Sequence, residues 1–348
     1  MRAAARARKT LKRLVFGPPD YPQQVTIGMR EPQSEVIVRL RRAEESRGTG
    51  RDVTQVHLMA CASPFTVGIG TDAGAAAGES ANAQGAYVLE FWESEGNREL
   101  LGEIMLRHSR FVSSQAAIET GAGGTALQLL EAVGSRNYCL RPRHIWARYA
   151  EYAYYRWKHP SPDVEMRARD VHAMCVFYNC PRPVGLVSVS DGASANIFPM
   201  NLMGAYGAGQ FAFALNTGKP VTLLVERARR IVLSTVPFSQ AKAAYSMAPN
   251  HKKDSIDVAQ LSFAVRRSAE FGFPVPEFAL RVREMEVEAI ERPGSHTLFL
   301  SRVLRDEYCE ASGAAAPQFF TLHGTYQARR EPREEASRDG VLGGRVLS

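Results

Sequence analysis

The sequence predicts a β-rich α+β protein built in two parts, the second a small antiparallel barrel with helical insertions. Short apolar runs that alternate with polar residues recur from Gln24 onward, the period of two that a half-buried strand requires. The segment His159-Pro160-Ser161-Pro162-Asp163 carries two closely spaced prolines, which break any helix before them and mark a boundary. Beyond it, several strand-like runs and two helical ones share about 130 residues, the make-up of a small barrel.

A chain of 348 residues, 45% hydrophobic and 23% charged, is long enough for two globular domains and too apolar to be disordered. Its net charge of +7 is spread over arginine-rich segments mixed with acids, which points away from nucleic acid and suits a phosphate-bearing ligand. Five cysteines without metal or redox spacing point to a reducing, cytoplasmic setting with no disulfide framework and no metal site; Cys175 and Cys180 read as buried thiols. No run of about 20 apolar residues occurs, so no membrane span is predicted. Met1 to Arg13 holds six basic residues and no acid, a transit-peptide composition without the serines; residues 1–20 read as a basic leader.

Along residues 21–160, QVTIGM and EVIVRL flank Arg30-Glu31-Pro32-Gln33-Ser34 and read as a hairpin from Gln24 to Leu40. The runs VHLMACA, FTVGIG, AYVLEFW and LGEIMLR continue the strand character past Ile104. Helix formers from Gln115 to Val133, interrupted by Gly121, Gly123 and Gly124, read as two short helices. A longer helix spans His144 to Lys158, and Trp146, Tyr149, Ala150, Ala153 and Trp157 fall on one face, as in a core or interdomain helix. This part reads as an N-terminal β-rich domain with C-terminal helices, of unassigned fold and role.

Residues 165–326 read as the barrel. PVGLVSVS and ANIFP are strands joined by a tight Asp191-Gly192 turn, and QFAFALN is a third. A helix from Val221 to Ala228 is entered through Lys219-Pro220, where the missing N–H of proline costs nothing. RRIVLSTV is a strand, Phe238 to Met247 a helix, and ALRVREMEVEAI and HTLFLSRVLRDEY form a hairpin around Glu291 to Ser295. After Tyr326 the composition turns to charge, and residues 327–348 read as a disordered tail.

The order of these blocks resembles the flavin reductase-like family with the FMN-binding split-barrel fold. The resemblance rests on Pro181-Arg182-Pro183 opening a strand, Asn196-Ile197-Phe198-Pro199 after a tight turn, FALN before Thr217-Gly218-Lys219-Pro220, HKKDSID, and Gly294-Ser295-His296-Thr297 opening the last long strand. Where the family often carries Ser-x-x-Pro-Pro, this chain has Leu202-Met203-Gly204-Ala205-Tyr206-Gly207. The fold class that the resemblance implies is a C-terminal FMN-binding split β-barrel with helical insertions after a β-rich N-terminal domain.

The resemblance implies an NAD(P)H-dependent FMN oxidoreductase, with FAD a possible substitute, passing hydride from nicotinamide C4 to flavin N5. FMN needs positive charge or N–H donors at its phosphate, cover for a flat ring, and donors where negative charge appears on reduction. Asn216, Thr217 and Lys219 before a helix start suit the phosphate, or merely cap a helix. Asn196, Pro199, Met200, Asn201 and Leu202 suit the ring and its edge, or are turn residues. Lys252 and Lys253 beside His251 suit a phosphate or solvent, and His296 orients the nicotinamide or is an edge histidine. The family further implies a homodimer and, for exchangeable flavin, a monooxygenase partner. The alternatives are a tightly held FMN serving a dedicated substrate, and a non-catalytic flavin-binding or interaction protein.

Gly68-Ile69-Gly70-Thr71-Asp72-Ala73-Gly74, with Glu90 further on, imitates a dinucleotide fingerprint. The helix it needs would hold three glycines and almost no large apolar residue, so the stretch reads as a glycine-rich loop in a β-rich domain.

Overall fold

A computed structural model describes residues 24–30, 35–72, 85–94, 98–113, 125–158, 165–309 and 316–334. The predicted leader, the linker at 159–163, residues 115–124 and the end of the tail lie outside them. The first half comprises β1 (Gln24–Met29), β2 (Val36–Arg42), β3 (Arg51–Asp52), β4 (His57–Ala62), β5 (Phe65–Asp72), β6 (Ala86–Glu93), β7 (Leu100–Val112), β8 (Thr125–Asn137), α1 (Pro142–Lys158) and α2 (Ala168–Phe177). There follow β9 (Arg182–Pro183), β10 (Gly185–Ser190), β11 (Ala195–Met200), β12 (Met203–Gly207), β13 (Gln210–Asn216), α3 (Pro220–Ala228) and β14 (Arg230–Thr235). The chain closes with α4 (Ala241–Ser246), β15 (Val265–Arg267), β16 (Pro274–Pro276), β17 (Arg281–Glu291), β18 (His296–Tyr308), β19 (Gln318–His323) and α5 (Gly324–Glu334). Among the described residues no helix is long and apolar enough to cross a membrane.

Two seven-stranded sheets dominate, ordered β3-β2-β6-β7-β8-β5-β4 and β11-β10-β14-β17-β18-β13-β12. Counting from β2 in one and β10 in the other, and passing over the separate β15-β16 pair, both orders read 2-1-5-6-7-4-3. In each sheet the two edge strands are neighbours in the chain, so the sheet curls until its edges approach: a split barrel. The same hydrogen bond braces both edges, from Gly70 N to Val56 O at 2.8 Å and from Ala214 N to Leu202 O at 2.9 Å. The N-terminal fold left unassigned by sequence is therefore the same strand arrangement as the C-terminal one.

The halves meet strand on strand. Strand β4 lies against β12, β13 and β18, and β12 lies against β5 and β8. Leu58, Ala60, Leu127 and Leu129 from the first half share one buried cluster with Tyr206, Ala212, Ala214, Leu298 and Leu300 from the second. Arg182 is buried beside it, donating to the carbonyls of His57 at 3.2 Å and Met203 at 3.0 Å.

Several sequence expectations give way to long-range pairing. The predicted hairpin does not form: β1 pairs antiparallel with β19, from Gln24 opposite His323 to Met29 opposite Gln318, while β2 pairs with β6 and β3. Residues 125–133, read as helix, lie in β8, because pairing with β5 and β7 overrides the helix propensity of Leu, Gln and Ala. The glycine pattern runs as strand through Asp72, and Glu90 accepts from Arg41 Nε at 2.6 Å, Gly48 N at 2.9 Å and Trp92 Nε1 at 3.0 Å, as a structural anchor. Helix α1 buries Ile145 and stacks Tyr149 on His172 at 3.6 Å, which leaves Trp146 and Trp157 exposed rather than in a core. Residues 327–334, read as tail, belong to α5, which docks through buried Tyr326 and Ala328 and through ion pairs from Arg329 to Glu93 at 2.7 Å and Arg330 to Glu35 at 2.8 Å.

A Cβ on Gly70 would overlap the carbonyl oxygen of Tyr206, whereas one on Gly68 would meet only the Leu127 side chain at 3.1 Å. Backbone cannot yield as a leucine can. Gly70→Ala is expected to cost roughly 1–3 kcal/mol in urea denaturation and Gly68→Ala distinctly less; equal losses would show that the halves are not packed this closely.

Candidate functional site

The turn after β13 is built by its own side chains. Asn216 Oδ1 accepts from Gly218 N at 3.1 Å, and its carbonyl accepts from Lys219 N at 3.0 Å and Thr222 Oγ1 at 2.7 Å. Lys219 is the extended N-cap of α3, with Pro220 in the first turn and no side-chain cap. A half-buried lysine thus adjoins a helix start whose amides lack a capping side chain, the donor set an anion seeks.

This turn is fastened to the start of β18. Thr217 N donates to Ser295 O at 3.1 Å, Thr217 Oγ1 lies 3.1 Å from Thr297 Oγ1, and Asn216 stands opposite His296 in the ladder. His296 is buried, and its Nδ1 accepts from Ala62 N at 3.4 Å and, by the same token, from Ser295 Oγ at 2.9 Å. The ring proton therefore sits on Nε2, which has no protein acceptor among the described residues. Burial holds this imidazole down to about 4, so it is neutral at physiological pH and presents one N–H donor.

The first half supplies the other wall. Ser63 N donates to Ser295 Oγ at 3.0 Å and Ser295 N returns a bond to Ser63 O at 2.8 Å. The Ser63–Phe65 turn is pinned in its turn by buried Asp170 of α2, which accepts from Ser63 Oγ and Phe65 N, both at 3.2 Å. Sequence reasoning missed Ser63, Asp170 and Ser295, and no local signal marks them: Ser63 and Ser295 lie 232 residues apart.

The remaining predicted residues fall along β11 and its neighbour. Asn196 is buried and its Nδ2 donates to Asn250 O at 3.1 Å and Lys253 O at 2.8 Å, so its amide holds a loop, while its buried Oδ1 has no partner among the described residues. His251 Nε2 donates to Pro199 O at 2.7 Å. These bonds lay the 3-10 turn Ala248–Lys252 along β11 and against α3, leaving Lys252 and Lys253 exposed beside the helix that Lys219 opens. Pro199 and Met200 are buried, Met200 in the barrel core, while Asn201 bonds Tyr178 and Leu202 packs where the halves meet. The structure thus joins Asn216, Thr217, Lys219 and His296 into one constellation, sets the lysine pair on an adjacent element, and turns Asn196 and Met200 inward.

No protein-family model and no curated protein matches the chain. Solved structures do: the FMN-binding protein from Thermus thermophilus, 21% identical over 40% of this chain and 81% of that one, at a TM-score of 0.36. The NADH:FAD oxidoreductase of Streptomyces globisporus C-1027 is 18% identical over 47% and 95%, at 0.40. Flavoredoxin from Methanosarcina acetivorans is 13% identical over 40% and 79%, at 0.35. Each match spans less than half of this chain.

Burial also depresses His57, to about 3 with Arg182 contributing, and His323, to about 4. A histidine lowered by folding stabilises the protein fully above its unfolded value near 6.5 and loses that contribution as pH falls toward its folded value. Stability is expected to be flat above about pH 7 and to fall by on the order of 2 kcal/mol per buried histidine by pH 5. Urea denaturation at pH 7.5 and 5 measures it, and His296→Gln should flatten the dependence; an unchanged slope would mean the imidazole is not buried as described.

Proposed function

We propose that this protein is an NAD(P)H-dependent flavin oxidoreductase that uses FMN. One observation carries the reading: two sequence blocks some eighty residues apart, the Asn216–Pro220 turn and Ser295-His296-Thr297, are joined by the bonds from Thr217 to Ser295 and Thr297. Together they offer an uncapped helix start beside a lysine and a neutral N–H donor, two of the things a phosphorylated, reducible ring requires.

The residues present fit that group. Lys219 and the first amides of α3 would hold the phosphate dianion, with Lys252 and Lys253 adding positive potential nearby. The Nε2–H of His296, with no acceptor among the described residues, would donate to an electron-rich ligand atom without titrating between pH 6 and 8. The barrel-to-barrel contact at Ser63 and Ser295 keeps that donor in a fixed orientation and largely out of water. When bound, FMN supplies the chemistry itself by accepting hydride at N5 from the nicotinamide C4. Hydride transfer needs no protein base, which agrees with a site whose histidine is held neutral. FMN that exchanges freely would carry its electrons to a separate monooxygenase.

The purified protein is expected to bind FMN, and the flavin bands between 300 and 550 nm to bleach on anaerobic addition of NADH or NADPH. Lys219→Ala should weaken FMN binding about tenfold while leaving riboflavin, which lacks the phosphate, unaffected. Saturating FMN with no spectral change would sink the redox reading; equal losses for FMN and riboflavin would remove the phosphate from this turn.

A further inference from the structure

The two halves share more than strand order; they also touch reciprocally. The contact of β4 with β13 is answered by that of β12 with β5, and the contact of β4 with β18 by that of β12 with β8, while β4 and β12 face each other. Counted within each half, these are third strand on fourth, third on seventh and third on third, the pattern of a two-fold interface. Individual residues repeat it. A Cβ on Gly294, just before β18, would run into Ser63 O and Pro64 of the turn between β4 and β5. A Cβ on Gly207, at the turn between β12 and β13, would run into the side chain of Thr125, the first residue of β8.

The equivalent positions nevertheless carry different chemistry. In the second half Asn216, at the end of the fourth strand, pairs with His296, at the start of the seventh. In the first half the same places hold Asp72 and Thr125, also paired. Asp72 is exposed, so a carboxylate stands where the other half offers a neutral turn leading to Lys219, and Thr125 has no imidazole donor. A phosphate dianion is attracted to one place and repelled from the other.

We infer that the first barrel does the work of a second protomer, so that one chain alone forms a single flavin site, walled by the Ser63–Phe65 turn and opened at Lys219, while the counterpart at Asp72 and Thr125 takes no flavin. The homodimer that the resemblance implies is thereby contained within one polypeptide. The site part of this inference rests on the flavin reading above; the pairing of the barrels does not.

The full-length protein tests both parts, with its mass measured by light scattering and FMN titrated by absorbance. The expected result is one chain of 38.4 kDa binding one FMN, with Lys219→Ala weakening it about tenfold and Asp72→Ala leaving affinity and stoichiometry unchanged. A mass of two chains would overturn the inference, as would two FMN per chain or an Asp72→Ala loss as large as that of Lys219→Ala. A single-chain mass with no FMN bound at all would overturn the flavin reading and support the barrel pairing by itself.

Discussion

Arg182 ties the two barrels together at their point of closest correspondence. One nitrogen of its guanidinium donates to the carbonyls of His57 and Met203, the first residues of the equivalent strands β4 and β12. The other terminal nitrogen lies 3.0 Å from His57 Nε2. For that contact to be a hydrogen bond the imidazole must be neutral, and it is: Nδ1 donates its proton to Val53 O at 3.0 Å, leaving Nε2 as the acceptor. A buried guanidinium is costly unless its donors are matched, so this cation fixes the register of β4 against β12. No apolar side chain would do so as sharply.

That register determines the candidate site. Once β4 and β12 are aligned, the turn that follows β4 falls on the start of β18, and Asp170 holds it there from α2. Ser63 then meets Ser295, and Ser295 orients His296 on one side and receives Thr217 on the other. The donor at His296 and the turn at Lys219 are therefore positioned from the opposite barrel, through bonds made at strand ends and from helix α2 rather than on long loops.

Period-two alternation and apolar runs made most strands legible: QFAFALN, RRIVLSTV and the final hairpin are strands as read, although the first two are buried on both faces rather than on alternate residues. Strand β8 was not legible, because TALQLLEAV is a good helix sequence and only its neighbours β5 and β7 make it a strand. The docking of α5 was hidden for the opposite reason: its arginines look like a solvated tail until Glu93 and Glu35, more than two hundred residues earlier, are brought to meet them. Of the candidate site, the Asn216–Pro220 turn and the histidine were visible as blocks, but the serines that join the barrels have no signature at all.

The repetition of the fold was hidden as well, and the reason bears on function. Two identical protomers must share every residue, so a substitution that spoils one site spoils its twin. Joined in one chain, the halves are free to diverge, and what packing must preserve is only the path of the strands. Gly70 and Ala214 illustrate the point: they make the same edge hydrogen bond, yet Gly70 has also given up its Cβ so that Tyr206 can close against it. Residues at the contact, Thr125 against Gly207 among them, are thus constrained by shape, while the equivalent strand ends carry different side chains, Asp72 and Thr125 in one half and Asn216 and His296 in the other. A pair of barrels alike in strand order and unlike in side chains is the expected result of that freedom.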